Sequence, residues 1–111
     1  SPTEFKVVHE RQPLFVRLSD GSVQNKYTIK LLNKTKQTLE IKFAIKGLDG
    51  ATLHGLKLMT VEPGKVVPVT ALVRVPEDKL QQGVTPIIFT GEVLSDSNIT
   101  LNYKSMFMSP K

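Results

Sequence analysis

The sequence predicts an all-β domain, a sandwich of about seven antiparallel strands in two sheets. Three observations lead to this fold class. Apolar and polar residues alternate with period two, turn residues recur about every ten positions, and no segment has a convincing helical period. The chain of 111 residues is long enough for one domain with its own core, so we expect residues 1–111 to fold as a single domain.

The clearest strands are two segments in the first half of the chain. In residues 23–31 the odd positions are apolar or aromatic apart from Asn25, and the even positions are polar. In residues 39–45 every odd position is apolar. Because successive side chains of a strand point to opposite faces, each segment should have one dry face and one wet face.

Proline marks two further strands. Residues 5–9 and 14–18 flank Pro13, a pattern that predicts a first strand switching from one sheet to the other at the proline. Residues 66–75 are rich in β-branched side chains but contain Pro68. Proline cannot donate to a ladder, so we expect an edge position or a bulge at Pro68.

Three other segments complete the predicted sandwich. Residues 53–61 are a short and irregular strand candidate. Residues 85–94 are apolar on both faces, as in a central strand, and residues 99–108 alternate again. We expect the tail from Ser109 to Lys111 to fray.

The composition excludes several classes of protein. Cysteine is absent, which removes disulfides, thiol catalysis and thiolate metal sites, and no apolar run approaches the roughly 20 residues that span a bilayer. The net charge of +5 and the pI of about 9.6 would suit nucleic acid or anionic lipid. The lysines alternate with apolar residues along strands, however, without a recognition helix or an aromatic platform. We therefore interpret them as a solvated sheet face and expect no nucleic-acid partner.

Catalytic constellations are missing from the sequence. His9 and His54 are its two histidines, and no nucleophile elbow accompanies them. Glu77 and Asp78 are adjacent in a turn rather than arranged as an acid–base pair. The glycine spacing fits no phosphate-binding loop. We predict that the domain is not an enzyme and holds no cofactor.

Met106 and Met108 form the one pattern with a metal chemistry. On a strand, the two thioethers would share the face opposite to Phe107, and thioethers suit Cu(I). Two thioethers without a nearby histidine or a third methionine make a poor site, so we favour their covering apolar surface. They remain the Cu(I) candidates of this sequence.

The order of several short motifs resembles one protein family. Residues 9–15 (HERQPLF) are similar to an R-x-P-L-Y opening, residues 20–30 (DGSVQNKYTIK) to DGxIxNxYTLK, and residues 33–35 to an NKT turn. Later matches are residues 47–48 (GL), 63–64 (PG), 67–69 (VPV), 85–87 (TPI) and 105–107 (SMF). Over nearly the whole chain, the ordered set resembles the C-terminal immunoglobulin-like domain of FixG/CcoG-type cytochrome c oxidase accessory proteins. Lys104 and Ser109-Pro110 depart from the family pattern.

The resemblance implies a location and a parent protein. It implies an immunoglobulin-like β-sandwich at the C-terminus of a longer inner-membrane protein, on the periplasmic side. The parent would carry iron–sulfur clusters upstream and act in the assembly of a copper- and haem-containing terminal oxidase. This cysteine-free domain would hold no cluster itself and would meet the membrane only through the parent chain.

These observations favour a non-catalytic interaction and structural domain. Its expected partners are oxidase subunits, assembly factors or a second copy of itself. The candidate contact surfaces, chosen from patterning, are one basic strand face formed by Lys26, Lys30 and Lys42, and the Pro68 edge. The alternatives are a module that binds Cu(I) or another ligand, and an unrelated immunoglobulin-like adhesin or chaperone domain.

Overall fold

The computed structural model describes residues 2–56, 58–81 and 83–110. Within these ranges the backbone forms nine β-strands and one short 3-10 turn at Glu77–Lys79. The strands are β1 (Thr3–His9), β2 (Val16–Arg17), β3 (Val23–Asn33), β4 (Leu39–Lys46), β5 (Thr52–His54), β6 (Leu58–Val61), β7 (Val66–Val75), β8 (Val84–Val93) and β9 (Thr100–Met108).

The strands form two antiparallel sheets that pack face to face. The first sheet has the order β1-β3-β7-β5, and β2 pairs with the start of β3 on the same side as β1. The second sheet has the order β6-β4-β8-β9. The predicted all-β sandwich is confirmed, with nine strands where about seven were expected.

Both additional strands arise where one strand was expected. Residues 53–61 are divided between β5 in the first sheet and β6 in the second, with Gly55 between them at a φ of +79°. The sheet switch predicted at Pro13 is wrong, because β1 and β2 both pair with β3. The reason is the length of β3: β1 occupies its residues 27–33, and the remaining start of the strand is free to receive β2.

Pro68 lies at an open edge of the first sheet, as expected. The register between β3 and β7 is continuous, with Pro68 opposite Lys30, so there is no bulge. On the other side of β7, β5 covers only residues 72–74. The Thr70 carbonyl faces Gly55 on that side of β7. Because the backbone groups of residues two apart in a strand point to the same side, the nitrogen of Pro68, which has no hydrogen to donate, also points away from β3.

The hydrophobic core lies between the sheets and follows the period-two pattern. Every odd-numbered residue of β3 is buried, and the ring of Tyr27 meets that of Phe89 on β8 at a centroid distance of 4.8 Å. β8 lies between β4 and β9 and is central, as its apolar faces predicted. Burial of each large side chain contributes about 1.5–3 kcal/mol, which is the main stabilisation of a domain without disulfides.

The end of the chain is more ordered than expected. Ser109 is only 8% exposed, and its backbone N–H donates to the carbonyl of Gly83 at 2.7 Å. This bond continues the pairing of β8 with β9 by one residue, so the predicted fraying is wrong for Ser109. Lys111 lies outside the described residues.

Candidate functional site

An amide–backbone pair closes one corner of the sandwich, where β3 of the first sheet meets β9 of the second. Asn25 is only 1% exposed. Its Nδ2 donates to the Met108 carbonyl at 2.9 Å, and its Oδ1 accepts the Met108 backbone N–H at 2.7 Å. A side-chain amide thus takes the place of a neighbouring strand at the free edge of β9 and satisfies backbone groups there.

His9 and Tyr27 extend this pair into a corner network. His9 Nε2 donates to Asn25 Oδ1 at 2.6 Å, since a carbonyl oxygen can only accept. The Tyr27 hydroxyl donates to the Met106 carbonyl at 2.8 Å. The two rings stand edge to face with centroids 4.9 Å apart. We call His9, Asn25, Tyr27 and the backbone of Met106 and Met108 the corner network.

The protons of the corner network are held in place. Burial raises the pKa of the Tyr27 hydroxyl, which keeps it neutral and able to donate. In the neutral form of the His9 imidazole, the proton on Nε2 faces Asn25 and Nδ1 carries the lone pair. That Nδ1 is buried and has no hydrogen-bond partner in the described part of the chain. The corner network therefore joins the two sheets and leaves the Nδ1 atom of His9 without a hydrogen bond among the described residues.

Three of the four predicted contact residues lie together. Lys26, Lys30 and Pro68 are exposed on the outer face of the first sheet, and Lys30 pairs directly with Pro68 across β3 and β7. Lys42 lies instead on the outer face of the second sheet, opposite Glu92 of β8. The single face expected for all three lysines is wrong, because β3 and β4 belong to different sheets.

Lys6 joins this surface although sequence reasoning missed it. In the pairing of β1 with β3, Lys6 lies directly opposite Lys30. Both side chains are exposed, and neither forms an ion pair within residues 2–56, 58–81 and 83–110. We call the outer face around Lys6, Lys26, Lys30 and Pro68 the lysine face. The alternation of residues in β1 indicated that Lys6 is exposed. Its position opposite Lys30 depends on the register between β1 and β3, which the local pattern does not encode.

Met106 and Met108 lie on the outward face of β9, opposite to the buried Phe107, as predicted. Met106 is 49% exposed and Met108 is half-buried. Both line an open crevice between the edge strands β1 and β9, and His9 lines the same crevice. His9, far from the methionine pair in sequence, therefore lies beside it in the structure. We call this the edge crevice.

A polar cleft elsewhere is lined by Asp20, His54 and Arg74, each of which forms a hydrogen bond. Asp20 Oδ1 accepts the backbone N–H and the hydroxyl of Ser22, and these bonds lower the pKa of Asp20. His54 bonds to Thr52, and Arg74 donates to Gln24 at 2.7 Å. The described residues contain no group of three or more His, Asp or Glu side chains arranged to hold a metal ion.

The nine strands, the two-sheet order and the closed corner define an immunoglobulin-like β-sandwich domain. Residues 1–110 match the family described as "IG-like fold at C-terminal of FixG", where FixG is a candidate oxidoreductase. The chain belongs to this family of FixG C-terminal domains.

Two individual proteins show the same relationship. Nitrogen fixation protein FixG of Rhizobium meliloti is 36% identical over 88 residues, which cover 71% of this chain and 17% of that protein. The chain thus corresponds to a small part of its curated relative. The crystal structure of a FixG-related protein from Vibrio parahaemolyticus superimposes with a TM-score of 0.88 at 31% identity, and covers 100% of this chain and 99% of that one. No helix among the described residues is long and apolar enough to cross a membrane.

Proposed function

We propose that this domain is a non-catalytic interaction and structural module of a FixG-type protein. The observation that carries the proposal is the match of residues 1–110 to the C-terminal domain of FixG. The geometry supports the proposal, because the buried Asn25 and Tyr27 side chains of the corner network form hydrogen bonds between strands. What the sandwich offers to other molecules is its exposed sheet faces and edges.

The wider setting is also part of the proposal. The parent would be a membrane-bound iron–sulfur protein that acts in cytochrome c oxidase assembly, with this domain on the periplasmic side of the inner membrane. The domain would contact oxidase subunits, assembly factors or a second copy of itself. The resemblance described above supports this setting, and the match to only 17% of the curated relative agrees with a longer parent.

Removal of the domain from the parent protein tests its role. We expect deletion of residues 1–110 to leave the iron–sulfur signal of the parent intact in electron paramagnetic resonance, while terminal-oxidase activity and subunit content fall. Loss of the clusters would contradict the proposal, because the domain would then serve the redox part itself. Unchanged oxidase assembly would also contradict it.

The location has its own test. Because the domain lacks cysteine, Asn102→Cys provides a thiol at an exposed position of β9. We expect a membrane-impermeant maleimide to label this thiol in cells with a permeabilised outer membrane and an intact inner membrane. Labelling that requires lysis of the inner membrane would place the domain in the cytoplasm.

The edge crevice supports a second candidate function, the binding of Cu(I). Met106 and Met108 line the crevice with His9, whose Nδ1 is buried and unpartnered in the described structure. Thioethers and imidazole are ligands that Cu(I) accepts. Titration against a competing chelator should show one-to-one binding that Met106→Leu/Met108→Leu abolishes and the buried Met59→Leu leaves intact. Equal weak binding by all three proteins would eliminate this candidate.

A further inference from the structure

We propose that the lysine face docks a carboxylate-rich surface of a partner protein. This inference rests on the proposed function and specifies the docking face and the chemistry of the partner. Lys6 and Lys30 lie directly opposite each other on β1 and β3. Like charges at directly opposed positions of an antiparallel pair destabilise a sheet. The domain therefore retains an unfavourable pair on an exposed surface.

Two carboxylates border the lysine face, and neither forms an ion pair with Lys6 or Lys30. Glu4 forms an ion pair with Lys34 at 3.0 Å. Glu10, which follows β1, lies across from Lys26, whose carbonyl accepts its backbone N–H, and its carboxylate accepts the Thr28 hydroxyl at 2.9 Å. Within the described ranges, Lys6 and Lys30 are left without an ionic partner. An external group of carboxylates would supply the missing counter-charge and relieve the repulsion between them.

The outer face of the second sheet differs from the lysine face. Lys42 there lies opposite Glu92, so its charge has a complementary neighbour. Lys46 on β4 and Lys104 on β9 are not neighbours, because Ile88 of β8 lies between them. The two faces carry lysines in similar number, but only the first places two of them side by side. This contrast supplies a matched control.

The composition of the lysine face favours a protein over a lipid surface. Val8 (37% exposed), Val66 (56% exposed) and the exposed Pro68 provide apolar contact among the lysines. The aromatic rings of β1 and β3, Phe5 and Tyr27, point into the core and pack on other aromatic rings. Surfaces that bind at the bilayer interface commonly insert aromatic side chains, and the lysine face presents no ring from β1 or β3 for that purpose.

Binding of an acidic peptide to the 111-residue chain tests the inference. The probe is a fluorescent peptide of alternating Glu and Thr, followed by anisotropy at low and at physiological salt. We expect Lys6→Gln/Lys26→Gln/Lys30→Gln to weaken binding about tenfold, and the control Lys42→Gln/Lys46→Gln/Lys104→Gln to weaken it less than about twofold. Binding should also weaken as salt rises. All six positions are exposed, and equal urea midpoints would verify that both variants are folded.

Three outcomes would overturn the inference. Equal weakening by the two triple variants would show that net charge alone attracts the peptide. Binding to vesicles containing phosphatidylglycerol, without binding to the peptide, would assign the face to a lipid surface. Absence of binding to both probes would remove the docking role of this face. The deletion assay for oxidase assembly is independent of all three, so the inference and the proposed function fail separately.

Discussion

Asn25 and Met108, 83 positions apart in the chain, form a two-bond pair between a side-chain amide and the backbone of an edge strand. The Tyr27 hydroxyl adds a third bond, to Met106. Elsewhere the faces of the two sheets meet mainly through apolar side chains. These directional bonds therefore set the position of β9 relative to β3 in addition to stabilising the contact.

Asn25→Ala tests the amide pair. The substitution leaves the Met108 N–H and carbonyl and the His9 Nε2 without their partner. We expect the free energy of unfolding to fall by about 2–3 kcal/mol in urea titrations. Asn102→Ala, an exposed position on β9, is the control and should change it by less than about 0.5 kcal/mol. Equal effects of the two substitutions would contradict a role for the pair.

Tyr27→Phe tests the hydroxyl and predicts an effect of alkaline pH. Near neutral pH the lost bond to Met106 should cost about 1 kcal/mol. Since burial raises the pKa of Tyr27, the unfolded chain ionises first, near pH 10. Stability from this group is therefore complete below about pH 10 and declines as pH rises further. The variant should lose that part of the decline in denaturation profiles, and parallel profiles would refute the assignment.

Asp20→Asn predicts a change at acid pH. The Ser22 hydroxyl and backbone N–H stabilise the Asp20 carboxylate and lower its pKa. Its contribution is therefore present above the pKa of the unfolded chain, about 3.9, and is lost as pH falls through the lower folded value. We expect a shallower acid decline of the urea midpoint in the variant. An unchanged acid slope would contradict this role.

Gly91→Ala should disturb the packing of the second sheet. A Cβ at this buried position would lie 2.9 Å from Leu101 Cδ1 and 3.1 Å from Ile41 Cγ2. We expect a loss of about 1–3 kcal/mol in the free energy of unfolding from overpacking. In the double variant Leu101→Ala/Gly91→Ala, truncation of Leu101 makes room for the methyl that Gly91→Ala introduces. The losses in free energy of unfolding from the two substitutions should therefore be less than additive. Strict additivity in this double-mutant cycle would rule out the proposed clash.

Pro68→Thr tests the protection of the β7 edge. The substitution places an N–H donor where Pro68 has none, on the side of β7 that β5 does not cover. We expect self-association that rises with concentration in analytical ultracentrifugation. Pro63→Thr, in an exposed turn, should remain as monomeric as the unsubstituted chain. Equal sedimentation of both variants would show that Pro68 does not guard this edge.

The alternation in the sequence predicted which residues are buried but not which strands are neighbours. Residues 23–31 behave as expected because the dry face of a strand is a local property. Lys26 and Lys42 were assigned to one surface because their local patterns are alike. They lie on opposite faces of the sandwich because sheet membership depends on long-range pairing, which no local period encodes.

The sequence indicated two parts of the candidate site without identifying the partners of the residues involved. Asn25 was the one polar residue at the odd positions of residues 23–31, and a buried amide requires partners. Its partner Met108 could not be found, since the interaction connects distant segments. Likewise, the Lys6–Lys30 pair follows from the register of β1 against β3. The motif at Asn33 was interpreted as a turn, and it is one, but its amide is buried and bonds to the Val61 carbonyl as well.

The corner network also bears on how this domain is made. Asn25 leaves the ribosome 83 residues before Met108, and in that interval its amide has no β9 backbone to bond. The core around Tyr27 stays open at that corner until the final strand emerges. Domains built from such distant pairings fold slowly. Completion of the fold therefore waits for the emergence of β9, and until then the nascent domain exposes apolar surface to which chaperones bind.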